Sequence, residues 1–355
     1  MGLKIHRRTT RVAYSIIASG ICAAMVLAAG AAAGAEASLR EFSLPTASSN
    51  PFGITAGPDG AAWFTEVAAN RIGRITTAGA VTEYPLPTAS SQPLMITPGP
   101  DRNLWFTEIG VNTIGCITPG GIVTQHPLAT RLSEPAAIAA GPDGALWFTE
   151  PTANRIGRIT TAGVFSEFSV PTAGSGPYDI TAGPDGALWF TESGVDKIGR
   201  ITTAGVFTEF PVPTADSGPY HITAGPDGTL WFTELRAGRI GRVTTAGVFT
   251  EFPVPTAGGG PDGITAGPDG TLWFTENNKI GRVTTAGVFS EFPVPTEDGG
   301  PNDIVAGPDG KLWFTDQVGN KIGQLTAAAT GPTGPRGIGR AAGQDRAHPR
   351  AGHQG

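Results

Sequence analysis

Seven tryptophans set the period of this chain. They stand at Trp63, Trp105, Trp147, Trp189, Trp231, Trp273 and Trp313, each followed by Phe-Thr and then Glu or Asp, at spacings of 42 residues five times and 40 once. Each unit reads like Asp179 to Glu192, then Lys197 to Thr202, then Val206 to Pro213. Pro-Asp-Gly, Thr-Ala-Gly and a Pro-Thr loop separate these segments, so the unit holds four short strands and three turns. The strands are rich in Ile, Val, Phe, Trp and Thr, and no ten-residue amphipathic helical pattern runs free of Gly or Pro. Four-stranded units at this period predict an all-β, seven-bladed β-propeller. A β-solenoid is the alternative, with coils usually shorter than this repeat.

The chain ends discriminate between the two. The outer-strand signature Glu-Phe-x-x-Pro-Thr occurs at Glu41 to Thr46, before the first Trp, whereas the seventh unit runs from Trp313 through Leu325 and lacks one. One strand is surplus at the front and one is missing at the back. Pairing the N-terminal strand with the last blade closes the ring and hides the edges that an open sheet exposes. The propeller is therefore assigned to residues 38–327, between a signal peptide at 1–37 and a Gly/Pro/Arg-rich tail at 328–355 that has too little apolar content to fold.

The leader has Lys4, Arg7, Arg8 and Arg11, an apolar run from Val12 to Ala33, and small residues at Ala35-Glu36-Ala37. That is the order of a cleavable export signal, so cleavage near Ala37 and a secreted or periplasmic protein without a stable membrane anchor are expected. With Cys22 removed only Cys116 remains, which excludes a disulfide scaffold. Cys116 stands where other repeats place Arg or Gln, and is expected on the surface of a strand. The formal charge is −6, but leader and tail are basic, leaving about −12 on residues 38–330. This argues against nucleic acid as a partner. A monomer is expected.

A residue type present in every copy reports on the fold, and a site lies where the copies differ. Trp-Phe-Thr-Glu is thus read as scaffold. The ring of acids Glu66, Glu108, Glu150, Glu192, Glu234, Glu276 and Asp316 is expected to bond neighbouring backbone, with a central cation as the other option. The loop into each first strand has the form Pro-x-y-Ile. Here x is Phe52, Leu94, Ala136, Tyr178, Tyr220, Asp262 and Asn302, and y is Gly53, Met95, Ala137, Asp179, His221, Gly263 and Asp303. Innermost strands converge on the axis, so these loops gather at one channel mouth, apolar on one side and polar on the other. Such a funnel suits a small-molecule or peptide-like ligand. Tyr178, Asp179, Tyr220, Asp262, Asn302 and Asp303 are the candidate ligand-binding residues. His221 is the one imidazole of these loops, and strand alternation predicts that it faces a neighbouring blade. A shortened loop at Asn277-Asn278 is expected to open the rim beside Asp262 and Asn302.

The repeat Ile-Thr-x-Gly-Pro-Asp-Gly-x-Leu-Trp-Phe-Thr-Glu, followed by Lys/Arg-Ile-Gly-Arg and Glu-Phe-x-x-Pro-Thr, resembles the virginiamycin B lyase (streptogramin lyase) family over residues 38–327. The resemblance implies a propeller that opens type B streptogramin antibiotics by elimination across an ester C–O bond, with Mg²⁺ as cofactor. It also implies histidines at x in two consecutive blades, a Glu before the second Pro and a Glu four residues after a Trp. Here no x is His: the late blades hold Tyr220, Asp262 and Asn302. The one Glu before such a Pro is Glu134, and no acid stands four residues after any Trp.

Two functional readings remain open alongside a purely structural repeat. In one, His221 is the base of a lyase, Asp179, Asp262 or Asp303 holds a divalent cation, and Tyr178 or Tyr220 donates a hydrogen bond. In the other, the protein is a secreted propeller that binds a ligand without turning it over. The metal ligands stay unassigned.

Overall fold

The structure is a computed structural model that describes residues 37–326; the export signal and the tail assigned from the sequence lie outside the described residues. Seven four-stranded antiparallel sheets form the blades. Blade one comprises Pro51–Ala56, Ala62–Glu66, Arg71–Ile75 and Val81–Pro85, from the axis outward. Blades two to six repeat that order. In the seventh sheet Pro301–Ala306, Leu312–Asp316 and Lys321–Thr326 are completed by the N-terminal strand Ser38–Ser43, in register from Ser38 opposite Thr326 to Ser43 opposite Lys321. The expected ring closure is therefore present.

The Trp-Phe-Thr-Glu string forms the second strand, and it is buried along its whole length in every blade. Successive side chains on a strand point to opposite faces. On one face each Trp stacks against the aromatic of its own outer strand, as in Trp63 on Tyr84 at 5.6 Å and Trp231 on Phe252 at 5.6 Å. The seventh Trp313 stacks on Phe42 of the N-terminal strand, so the closing strand completes the core pattern as well as the sheet. Such pairs add about 0.5–1.5 kcal/mol each beyond the area they bury. On the other face Phe64 covers Gly73, where a Cβ would sit 2.1 Å from its ring. The glycine of Ile-Gly-Arg is thus a requirement of close packing.

Turns are tied to the same string. Asp59 of Pro-Asp-Gly accepts the Trp63 indole N–H at 3.0 Å and Arg74 Nε at 2.7 Å, while Gly60 adopts φ +76°. Cys116 occupies the place of Arg74 in blade two and is buried, contrary to the surface position expected. Its short side chain stays against Trp105 where an Arg would reach solvent. Burial, then Asp101, pushes the thiol up to about 12, which leaves it inert as a nucleophile.

The seven acids ending the second strands are fully buried. The backbone bonding expected of them is made by Asp316, which accepts the N–H groups of Gly300 and Gly319 at 2.9 and 2.8 Å. In blade two Glu108 instead accepts the Gln125 amide at 2.6 Å. Glu66, Glu150, Glu192, Glu234 and Glu276 lack the expected backbone bonding, both side-chain oxygens of each being buried without a hydrogen-bond partner.

Candidate functional site

Each mouth loop is shaped by a bulge. In six blades the pairing of the first and second strands shifts register between the Pro and the Ile of Pro-x-y-Ile, as between Pro219 and Ile222. Blade three has instead a short first strand, Ile138–Ala140. The unpaired y residue finds its partner in the scaffold Thr. The His221 N–H donates to Thr233 Oγ1 at 3.0 Å, and the same bond recurs in all seven blades. Each such hydroxyl donates onward to the x carbonyl of the next blade in six cases, such as Thr191 to Tyr220 O at 2.7 Å. In every blade but the fifth, where Thr233 makes no onward bond, one threonine therefore ties its own mouth loop to that of its neighbour.

The bulge also changes where His221 points. Strict alternation fails across a bulge, so His221 reaches both neighbouring blades and still lines the axial cavity. Its Nδ1 lies 3.2 Å from Asp179 Oδ2 and its Nε2 lies 3.4 Å from Asp262 Oδ1. The cavity, about 110 Å³, is lined by Met95, Ile96, Ala137, Ile138 and Ile264 together with Asp179, His221 and Asp303, and not by Tyr178, Tyr220, Asp262 or Asn302. The half-apolar, half-polar mouth read from the sequence is present inside the channel.

All seven candidate residues converge. Asp179 Oδ1 accepts the Ile180 N–H and its Oδ2 the Ile222 N–H, both at 2.8 Å. Asp303 repeats the arrangement with Ile304 and, across the ring closure, Ile54. Tyr178 and Tyr220 stack at 4.1 Å, and the Tyr220 hydroxyl donates to that of Tyr178 at 2.5 Å. Asn302 Nδ2 donates to Asp262 Oδ2 at 3.0 Å.

Charge follows from this geometry. Burial alone lowers the pKa of His221, but the field of Asp179, its hydrogen bond, and then Asp262 and Asp303 raise it to about 9. Burial raises Asp303 to about 6 and raises Asp262, each partly offset by His221. Burial likewise raises both phenols, Tyr220 to about 12. At neutral pH the mouth holds an imidazolium among carboxylates, with both tyrosines as neutral hydroxyls.

Magnesium, implied by the resemblance, does not match these residues. Among the described residues no group of three or more His, Cys, Asp or Glu is arranged to hold a metal ion. A hard cation needs several oxygen donors converging on one point; Asp179 and Asp303 give theirs to backbone N–H groups, which leaves Asp262 Oδ1 and Asn302 Oδ1 as the cluster's oxygens without a hydrogen-bond partner.

A separate opening lies between blades five and six, away from the shortened Asn277-Asn278 loop. At most blade junctions an Asn or Asp bridges the incoming loop: Asn70 Nδ2 donates to Thr88 O at 2.8 Å and its Oδ1 accepts the Ser91 N–H at 2.7 Å. Gly238 replaces that residue and Gly259 replaces the Ser. The result is a cavity of about 340 Å³ lined by Leu235, Arg236, Gly238, Val254 and Gly259 among others.

Seven four-stranded blades, a ring closed by the N-terminal strand and a polar cluster at one channel mouth define a β-propeller with an axial site. The virginiamycin B lyase family model matches residues 31–163 and 132–332, and the chain belongs to that family. A solved streptogramin B lyase is 40% identical with a TM-score of 0.79, covering 82% of this chain and 97% of that one. A virginiamycin B lyase from Staphylococcus aureus is 44% identical with the same TM-score, covering 82% of this chain and all of its own; a catalytically inactive histidine-to-alanine form with quinupristin matches equally. A virginiamycin B lyase of Saccharopolyspora erythraea is 48% identical over 44 residues, 12% of this chain and 15% of that protein. An extracellular domain of a putative hybrid two component system from B. thetaiotaomicron, 13% identical with a TM-score of 0.67, shares the fold.

Proposed function

We propose that this protein is an exported ligand-binding propeller of the virginiamycin B lyase family that holds its ligand at the channel mouth without turning it over. The observation that carries this reading is the state of His221. A general base near neutral pH needs an imidazole with a free lone pair. With its pKa raised to about 9, His221 is neutral in roughly one molecule in 100 at pH 7. Both its ring nitrogens face carboxylates. The positions where the resemblance implies paired histidines hold Tyr220, Asp262 and Asn302, and the inactive S. aureus form supports the weight placed on a single histidine. Export rests on the leader, with its basic residues, apolar run and small-residue site.

A second reading, elimination across the ester C–O bond of a type B streptogramin, is favoured by the 40–44% identity to streptogramin lyase structures over 82% of the chain. The two are separated by incubating the protein with a type B streptogramin and Mg²⁺, then resolving the products by chromatography and tandem mass spectrometry. Intact cyclic antibiotic is expected. A linear product of unchanged mass overturns the binding reading and makes the cluster a rebuilt lyase site.

A further inference from the structure

Four blade junctions hold the same clamp on a carboxamide. The side chains of Asn70, Asn112, Asn154 and Asn320 each donate from Nδ2 to the carbonyl of a Pro-Thr threonine, Thr88, Thr130, Thr172 or Thr46, at 2.6–3.0 Å. At Oδ1 each accepts the N–H of the serine beyond that threonine, Ser91, Ser133, Ser175 or Ser49, at 2.7–2.9 Å. One donor and one acceptor on a planar group thus close each junction.

Between blades five and six the backbone of the clamp persists without its asparagine. Gly238 keeps the left-handed conformation, φ +62° against +54° to +57° for the four asparagines. Thr256 and Gly259 stand in the threonine and serine places, and with no side chain between them the Gly259 N–H donates to Thr256 O at 3.0 Å. Gly238, Thr256 and Gly259 all line the cavity of about 340 Å³. Arg236 lines it too, its stem against Gly218, and its guanidinium has no ion-pair or hydrogen-bond partner among the described residues. Leu235, Pro253 and Val254 supply an apolar wall.

We propose that this cleft is a second ligand site, which takes a primary carboxamide on an aliphatic body. The ligand's N–H group reaches Thr256 O, its oxygen reaches the Gly259 N–H and Arg236, and its body packs on Leu235 and Val254. One bond within the loop is exchanged for the pair that each asparagine makes. A carboxylate sets an unprotonated oxygen against Thr256 O, and an ammonium leaves the Gly259 N–H without an acceptor. The acid in this place, Asp196, is held by donors alone, among them the Ser217 hydroxyl, which Gly259 lacks. The cleft shares no lining residue with the axial cavity, so the proposal is independent of the reading of the mouth. A free amide and an asparagine side chain of a peptide share the required chemistry.

The test is an NMR titration of the full chain with isobutyramide, isobutyrate and isobutylammonium in turn. Saturable shifts of the Gly238, Thr256 and Gly259 amides are expected with isobutyramide alone. Gly238→Asn fills the clamp from within, and is expected to abolish those shifts while the melting temperature holds or rises. Arg236→Ala is expected to weaken binding about fivefold, the worth of one hydrogen bond. A blocked tripeptide with a central asparagine that binds more tightly than isobutyramide assigns a peptide as the source; weaker binding assigns a free amide. Absence of saturable shifts with isobutyramide, isobutyrate binding as tightly as the amide, or undiminished binding in Gly238→Asn overturns the proposal.

Discussion

His221 draws its charge from two neighbours in other blades, so its titration reports directly on the cluster. Asp179→Asn removes the largest favourable influence on the imidazolium, and the pKa of His221 is expected to fall from about 9 toward the acidic side, read by NMR of the ring nitrogens. An unchanged pKa would mean that the Asp179 carboxylate and the His221 ring are not in contact. The folded pKa lies above the usual 6.5, so this contribution to stability is complete below pH 6.5 and is lost as pH rises through about 9. Gly238 gives a second test. Gly238→Asn restores the bridge that Asn70 makes elsewhere, at a residue already in the left-handed region (φ +62°) that Asn tolerates. A gain of about 0.5–1.5 kcal/mol is expected from the hydrogen bonds regained, seen as a higher melting temperature. At this scale the sequence located every member of the cluster, because all seven vary among otherwise similar repeats. It placed His221 against a neighbouring blade, which the contacts to Asp179 and Asp262 match, but not on the axial cavity, which it also lines because alternation fails at a bulge. The Thr Oγ1 that fills the bulge was visible in every copy as scaffold, but its double bond across blades is a tertiary fact with no local signature.

Within a blade, the unexpected element is a pair of acids facing one another across a glycine. Phe190, Gly199 and Glu209 are aligned across three strands, and Glu192 lies two residues beyond Phe190 on the same face. Burial, followed by the charge of Glu209, raises Glu192 to about 8. Glu209 is lowered despite its own desolvation, because Thr172 and Lys197 donate to it. The inner carboxyl therefore keeps its proton while the outer one is ionised. Similar elevations, to about 7 or 8, occur at Glu66, Glu150, Glu234 and Glu276. Folded pKa values above the usual 4.5 of a glutamate mean that the native state holds protons the unfolded chain releases. Stability from these groups is complete below about pH 4.5 and is lost as pH rises through 7 to 8. Melting temperature measured by calorimetry is expected to be higher at pH 5.5 than at pH 8.5, and Glu192→Gln is expected to reduce the difference. A melting temperature that rises with pH over that range would refute the protonated inner carboxyl. The Gln125 amide beside Glu108 in blade two shows that a neutral partner fits. Both acids recur in the repeat, but their facing depends on strand register, which periodicity alone does not give.

The whole ring depends on contacts between its two ends. Ser38–Ser43 is the outer strand of the seventh blade, Glu41 accepts Lys321 Nζ at 2.8 Å and the Thr296 hydroxyl at 2.7 Å, and Asn320 accepts the Ser49 N–H at 2.7 Å. The candidate site shares this dependence, because Asp303 binds the Ile54 N–H and Thr315 binds Phe52 O across the same junction. Closure was legible in the sequence because a surplus strand signature at one end matched a missing one at the other. Removing residues 1–46 deletes that strand, strips Phe42 from Trp313 and exposes Lys321–Thr326 as an unpaired edge. Exposed edges pair with other chains. The truncated protein is expected to melt earlier and to form oligomers on size-exclusion chromatography, and a peptide spanning residues 38–46 is expected to restore the monomer. A truncated monomer with unchanged melting temperature would show that the blade-to-blade threonine bonds hold the ring without its closing strand.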